Sequence, residues 1–207
     1  MAQIKAIIFD MGGVILRSMD WTPREAQAKR LGVSREAMEN EVFGNRSAQL
    51  ATVGACSEAE HWEAVRLTFG IPLQEMPAWR KEFWSGDRMD AGLLAWLDAQ
   101  RPQYKTAMLS NAWPEARVTV RQNYPGSLNV FDLVIFSAEV QLAKPDERIY
   151  HLVCKRLGVQ PEQAVFLDDV QENIEGARRI GMQGIQFKSP EQALNDLQSL
   201  LNGNQPG

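Results

Sequence analysis

Four short stretches hold polar groups beside apolar runs. Asp10 follows A-I-I-F and is itself followed by Gly12 and Gly13. Ser110 and Asn111 follow A-M-L, Asp168 and Asp169 end and follow V-F-L, and Lys144 stands with Pro145 in L-A-K-P-D-E-R-I-Y. An aspartate at a strand end can simply cap a loop, so Asp10 alone decides nothing. Brought to one edge of a sheet, the four stretches supply a carboxylate nucleophile, a hydroxyl beside an amide, a fixed cation and two more carboxylates. That is the inventory for phosphoryl transfer with a bound divalent metal. Gly12 and Gly13 would let the chain turn sharply and bring backbone amides close to a ligand.

Such a gathering needs a scaffold, and the apolar patterning predicts one. Candidate strands cover residues 6–9, 106–110, 133–136, 165–167 and 184–187, with amphipathic helices over 114–123, 146–157 and 171–180 between the later ones. Strands apolar on both faces and separated by helices argue for an α/β fold: an open parallel sheet with helices on both faces, Rossmann-like in plan. In such sheets ligands bind beyond the carboxyl ends of the strands, where all four stretches would lie. The rhythm breaks between about Arg17 and Asp90. There the sequence predicts no strand but helices over 23–31, 35–43, 58–69 and 76–83, with Ser34 and Ser57 as N-caps. The predicted organisation is a core domain of residues 1–16 and 90–207 with a small all-helical unit, 17–89, inserted after the first strand. That unit holds Trp21, Trp62, Trp79 and Trp84, read as packing of a small core rather than as stacking surfaces for a substrate.

F-D-M-G-G-V, L-S-N, K-P and F-L-D-D-V-Q-E-N, in this order and spacing, resemble the four motifs of the haloacid dehalogenase-like hydrolase superfamily, and the helical insertion is similar to that family's cap domain. The resemblance implies a magnesium-dependent phosphatase of a small phosphorylated metabolite. By it, Asp10 attacks phosphorus to form an aspartyl-phosphate, Ser110 binds the phosphoryl group and Lys144 neutralises its charge, with Gly12, Gly13 and Asn111 also at the phosphate. It assigns Mg²⁺ to Asp10, the Gly12 carbonyl, Asp169 directly and Asp168 through a metal-bound water. Hard oxygen donors suit magnesium, and no cluster of His and Cys competes for a softer metal.

One position departs from the family pattern. Where the family usually carries a second aspartate, the general acid and base, this chain has Gly12. Such assistance is typically worth ~10²–10⁴-fold in rate. Three readings follow: a phosphatase biased toward good leaving groups such as sugar 1-phosphates, a 2-haloacid dehalogenase-like hydrolase, and a binding or regulatory protein of weak or lost catalysis. The paired Asp168 and Asp169, which need a cation to relieve their repulsion, favour the first over the second.

Composition bounds the rest. The chain has 207 residues, 44% hydrophobic and 23% charged, with a net charge of −4 and no concentrated basic stripe, so neither nucleic acid nor a membrane is expected as partner. Cys56 and Cys154 form no pairing pattern, and the N-terminus has no signal-peptide pattern; a cytoplasmic location is expected. Nothing decides between monomer and homodimer. His61 and His151 are read as structural. Weaker candidates are Glu172 and Asn173 as orienting groups, Trp113 and Pro114 at the rim, Arg17 and Asp20 near the insertion's start, and a frayed tail after Leu201.

Overall fold

The computed structural model describes residues 2–101 and 103–203. The chain begins with β1 (Ala6–Phe9), turns into β2 (Leu16–Ser18), and runs through α1 (Thr22–Leu31), α2 (Arg35–Gly44), α3 (Arg46–Thr52), α4 (Glu58–Phe69) and α5 (Met76–Phe83). It returns as β3 (Asp87–Met89), followed by α6 (Ala91–Gln100), β4 (Lys105–Ser110), α7 (Ala116–Asn123), β5 (Leu133–Phe136) and α8 (Ser137–Val140). Then come α9 (Glu147–Leu157), β6 (Ala164–Asp168), α10 (Gln171–Arg179), β7 (Gln183–Gln186) and α11 (Pro190–Asn202).

Five strands form one parallel sheet in the order β5-β4-β1-β6-β7. Alternation along each strand sends Ile7, Phe9, Met108, Val165 and Leu167 to one face, where they pack with Leu93, Val120 and Leu197 from α6, α7 and α11. Ala6, Ile8, Leu109 and Phe166 go to the other, against Ile149, Val153 and Ile174 from α9 and α10. The sheet is therefore buried on both sides, which is why its strands read as continuous apolar runs. Each large side chain fully enclosed this way contributes ~1.5–3 kcal/mol. The chain builds outward from β1 to β4 and β5, then crosses back to place β6 on β1's other side. The carboxyl end of the β1–β6 pair is thus the switch point where open α/β sheets bind ligands.

The inserted helices have an apolar cluster of their own, made of Met38, Val42, Trp62, Val65, Trp79 and Phe83 among others. Ser34 and Ser57 cap as expected: each side chain accepts from the amide three residues on, and Glu60 completes a capping box with Ser57. The strand-free reading of this region needs correction. The chain enters and leaves through an antiparallel ribbon of β2 and β3 that pairs Arg17 with Arg88 and Ser18 with Asp87. Each strand is three residues long and largely charged or polar, so neither shows the apolar alternation that marks a strand. At the chain end, Asn202 closes α11, and the part of the expected frayed tail beyond Gly203 lies outside the described residues.

Candidate active site

Register sets the site. Phe9 lies level with Met108 and with Leu167, so Asp10, Ser110 and Asp168 stand at the same edge of three adjacent strands. Asp10 is fixed by its own amide, which donates to the Leu167 carbonyl at 2.8 Å. Lys144 arrives from the loop between α8 and α9 rather than from a strand tip. Its ammonium lies 2.8 Å from Asp10 Oδ1 and 2.6 Å from Asp168 Oδ2 and is almost fully buried. Asn111 holds that loop in place: its Nδ2 donates to the Lys144 carbonyl and its Oδ1 accepts from the Lys144 amide, both at 2.9 Å. The Asn111 amide, assigned to the phosphate by resemblance, is thus engaged by the backbone that carries the cation.

The two carboxylates at the end of β6 differ in kind. Asp168 is enclosed, and both its oxygens are taken: the Val170 amide donates to Oδ1, Lys144 to Oδ2, and Asn173 Nδ2 reaches both. Asp169 is exposed, and no other residue's hydrogen bond holds its carboxylate among the described residues. Gly13 explains where Asp169 goes. At φ +77° Gly13 occupies the left-handed region, and a Cβ there would fall 2.2 Å from Asp169 Oδ2, so only glycine permits this approach. The Gly13 amide, read from the sequence as a phosphate contact, donates instead to the Leu16 carbonyl at 2.9 Å. Gly12 faces open space, with nothing within 4 Å of an added Cβ.

Three carboxylates against one ammonium leave two negative charges in excess, and protonation feels it. Burial pushes the Asp10 carboxyl up to about 7, with the Asp168 charge adding to the rise while Lys144 opposes it. Asp169, though open at its surface, is partly desolvated by the protein around it, and this and the Asp168 charge raise its pKa while Lys144 opposes the rise. Burial acts to lower Lys144, but the Asp10 and Asp168 charges outweigh it and hold the ammonium protonated above its ordinary range. Asp10, Asp168 and Asp169 each offer an oxygen within 4.8 Å of the others. A hard, all-oxygen donor set with two charges uncompensated fits a divalent cation of the Mg²⁺ type.

The remaining candidates fall into place around this centre. Ser110 is buried at the end of β4, and its hydroxyl has no hydrogen-bond partner among the described residues. Asn173 touches Asp168, whereas Glu172 is exposed in the first turn of α10. Arg17 is held away by Asp90 and the Val14 carbonyl, and Asp20 accepts from the Thr22 amide at the start of α1; both secure the ribbon and the helix. Trp113 leans onto the inserted helices, with its ring centroid 4.3 Å from His61 and 5.4 Å from Trp62. His151 is exposed, and His61 is enclosed with Nδ1 on the Ser47 hydroxyl at 2.9 Å.

Ser137 was not legible as a site residue. Its buried hydroxyl accepts from the Ala112 amide at 2.9 Å and donates to the Thr52 carbonyl at 2.6 Å, tying the loop after Ser110 to the end of α3. The loop after Ser110 and the helical insertion are therefore joined at a buried hydrogen bond and at Trp113.

A family model for haloacid dehalogenase-like hydrolases matches residues 4–181. The chain is 29% identical over 187 residues to phosphatase MT3486 of Mycobacterium tuberculosis, covering 86% of this chain and 85% of that protein. It spans only 7% of acyl-CoA dehydrogenase family member 10 of Mus musculus, with 41% identity over 71 residues or 34% of this chain. It spans 20% of bifunctional epoxide hydrolase 2 of Sus scrofa, with 33% identity over 111 residues or 52% of this chain. The fold matches a HAD-like family hydrolase of Porphyromonas gingivalis at TM-score 0.76 and 24% identity, covering 97% of this chain and 98% of that one. It also matches a HAD family enzyme of Bacteroides thetaiotaomicron in complex with magnesium and inorganic phosphate, at TM-score 0.73 and 23% identity, covering 90% and 96%. Among the described residues no helix is long and apolar enough to cross a membrane.

Proposed function

This chain belongs to the haloacid dehalogenase-like hydrolase family, and from that premise we propose that it is a magnesium-dependent phosphomonoesterase working through an aspartyl-phosphate on Asp10. The observation that carries the proposal is the buried row Asp10–Lys144–Asp168 at the switch point, with Asp169 left open beside it. The phosphatase named among its relatives supports the same reaction class.

In this reading one Asp10 oxygen attacks phosphorus as the bond to the leaving oxygen breaks. Water then attacks the aspartyl-phosphate and releases inorganic phosphate, restoring the carboxylate. Asp10, Asp169 and the Gly12 carbonyl would hold Mg²⁺, with Asp168 behind them through a water. The metal would supply the positive charge that keeps Asp10 ionised and draws in the phosphoryl oxygens. Lys144, whose position Asn111 fixes, adds the other cationic contact, and the unpartnered Ser110 hydroxyl donates to a phosphoryl oxygen.

Because Gly12 cannot move a proton, the leaving oxygen must depart with little help. Substrates whose leaving group is a weak base are favoured, glycosyl 1-phosphates among them, and hydrolysis of the aspartyl-phosphate is slow. Carbon–halogen hydrolysis is the weaker reading, since it gives no use to a charge surplus that a divalent cation relieves. We further propose that residues 17–89 act as a cap over the site, that the substrate is a small phosphorylated molecule, and that the protein works in the cytoplasm. Phosphate release from sugar, nucleotide and acyl phosphates, with and without Mg²⁺ and beside Asp10→Asn, tests the proposal. Magnesium-dependent release that the variant lacks supports it, and release that the variant retains refutes it.

A further inference from the structure

We infer that the protein passes its phosphoryl group to carboxylates more readily than to water or alcohols, exchanging it between acyl phosphates as well as releasing phosphate. This rests on the aspartyl-phosphate reading and extends it to the second half-reaction. When water attacks, a proton must leave the attacking oxygen, and a nearby group must take it. The groups gathered at the sheet edge are engaged otherwise. Asp10 carries the phosphoryl group. Asp168 accepts through both oxygens from Lys144, the Val170 amide and Asn173. Lys144 is an ammonium held between two carboxylates, with no lone pair to offer. Asn111 and Asn173 are amides, Ser110 is a neutral hydroxyl and Gly12 has no side chain. Asp169 belongs to the three-carboxylate set that would hold the cation. His61 keeps an unpartnered Nε2, but it is enclosed beside the Trp62 and Trp113 rings, and burial pushes its pKa down to about 4, which makes it a weak base. Among the described residues no hydrogen bond or ion pair joins His151 or Glu172 to this set, and both are exposed.

A carboxylate acceptor needs no base, because its attacking oxygen is already an anion. Its attack retraces the step by which a carboxylate leaves an acyl phosphate, so whatever charge assists departure assists the return. A carboxylate oxygen forms a bond to phosphorus as the bond from phosphorus to the Asp10 oxygen breaks. Asp10 recovers the electron pair, and no proton moves. Donor, adduct and product are all mixed anhydrides of a carboxylic acid with phosphate, so the exchange is close to balance in free energy. The way in is open: Gly12, two residues from Asp10, is exposed, and a Cβ there meets nothing within 4 Å. An alcohol carries the same proton as water and meets the same lack.

The test gives the protein acetyl phosphate, Mg²⁺ and an excess of deuterium-labelled acetate at neutral pH, and follows labelled acetyl phosphate and free phosphate together. Base assistance is worth ~10²–10⁴-fold to water and nothing to a carboxylate, so label is expected to enter acetyl phosphate about tenfold faster than phosphate is released. Asp10→Asn should abolish the exchange. Glycerol in place of acetate should yield no glycerol phosphate. Gly12→Asp, which supplies a base, should reverse the preference and make phosphate release the faster process. Label that enters no faster than phosphate is released, exchange that Asp10→Asn retains, or glycerol phosphate that forms as readily as labelled acetyl phosphate overturns the inference. A protein that forms no phosphorylated adduct and releases no phosphate with Mg²⁺ instead overturns the phosphatase reading beneath it.

Discussion

Replacing Gly12 by aspartate should add a proton-transferring group to a site that lacks one. Gly12 does not occupy the left-handed region, and a Cβ there meets nothing within 4 Å, so the new side chain enters without strain. Its carboxyl would sit two residues from Asp10, on the turn where Leu16, Ile15 and Val14 donate to the Met11 carbonyl and hold the backbone still. General acid–base assistance is worth ~10²–10⁴-fold, or about 2.7–5.4 kcal/mol of barrier. The gain should be largest where protonation of the leaving group matters most. Gly12→Asp is therefore expected to raise kcat/KM for a simple alkyl phosphate by ~10²-fold or more, and to raise acetyl phosphate much less, since a carboxylate leaves unaided. It should also shorten the life of the aspartyl-phosphate, read as the fraction of phosphorylated protein after acid quench. Phosphate release and intact mass provide both numbers. A folded Gly12→Asp protein with unchanged alkyl phosphate turnover would refute the argument that Gly12 limits proton transfer. Gly13→Ala is the steric counterpart: with φ +77° and a Cβ 2.2 Å from Asp169 Oδ2, it should displace that carboxylate and weaken Mg²⁺ binding at least tenfold by titration calorimetry.

Three further outcomes follow from contacts already described. Lys144→Met leaves Asp10 and Asp168 buried without their cation and should cost ~3–5 kcal/mol of stability in urea unfolding with EDTA, a loss that Mg²⁺ partly restores. Asn111→Ala removes both hydrogen bonds to the Lys144 backbone and should lower kcat/KM about tenfold at little cost in Tm, whereas an equal drop in Tm and activity would mean a merely structural role. His61 is enclosed, and burial pushes its pKa down to about 4, with Arg80 acting in the same direction and Glu41 against it. Between pH 6.5 and 4 the unfolded chain then binds the proton that the fold refuses. Stability should be full above pH 6.5 and fall by about 3 kcal/mol toward pH 4, a slope that His61→Gln should flatten in pH-dependent unfolding.

The sheet was legible because its strands are buried on both faces: A-I-I-F matches β1 and L-V-I-F matches β5 residue for residue. Some capped helices were equally plain, and α4 runs over the predicted residues between Ser57 and the left-handed Gly70, whereas α3 and α6, capped by Asn45 and Asp90, lie outside the predicted helices. The β2–β3 ribbon was hidden because Arg17, Ser18, Asp87 and Arg88 earn their place through pairing with one another and with Arg24 and Asp90, not through an apolar face. α11 carried a readable signal in Ser189, Pro190 and leucines three or four residues apart, yet it lies outside the predicted helices. In the site, residue types and order pointed to the carboxylates and the lysine. Which amides are occupied was not legible, because the Gly13 amide folds back onto Leu16 inside its own tight turn and Asn111 meets Lys144 only where two loops distant in sequence come together.

Covalent capture of the intermediate tests the central claim most directly. The protein is mixed with acetyl phosphate and Mg²⁺, quenched in acid within seconds and weighed intact, beside Asp10→Asn. The account predicts a mass increase of one phosphoryl group that maps to Asp10, is discharged by hydroxylamine, requires the metal and is absent from the variant. Phosphate release with no adduct at any time, or an adduct that persists in Asp10→Asn, would contradict it.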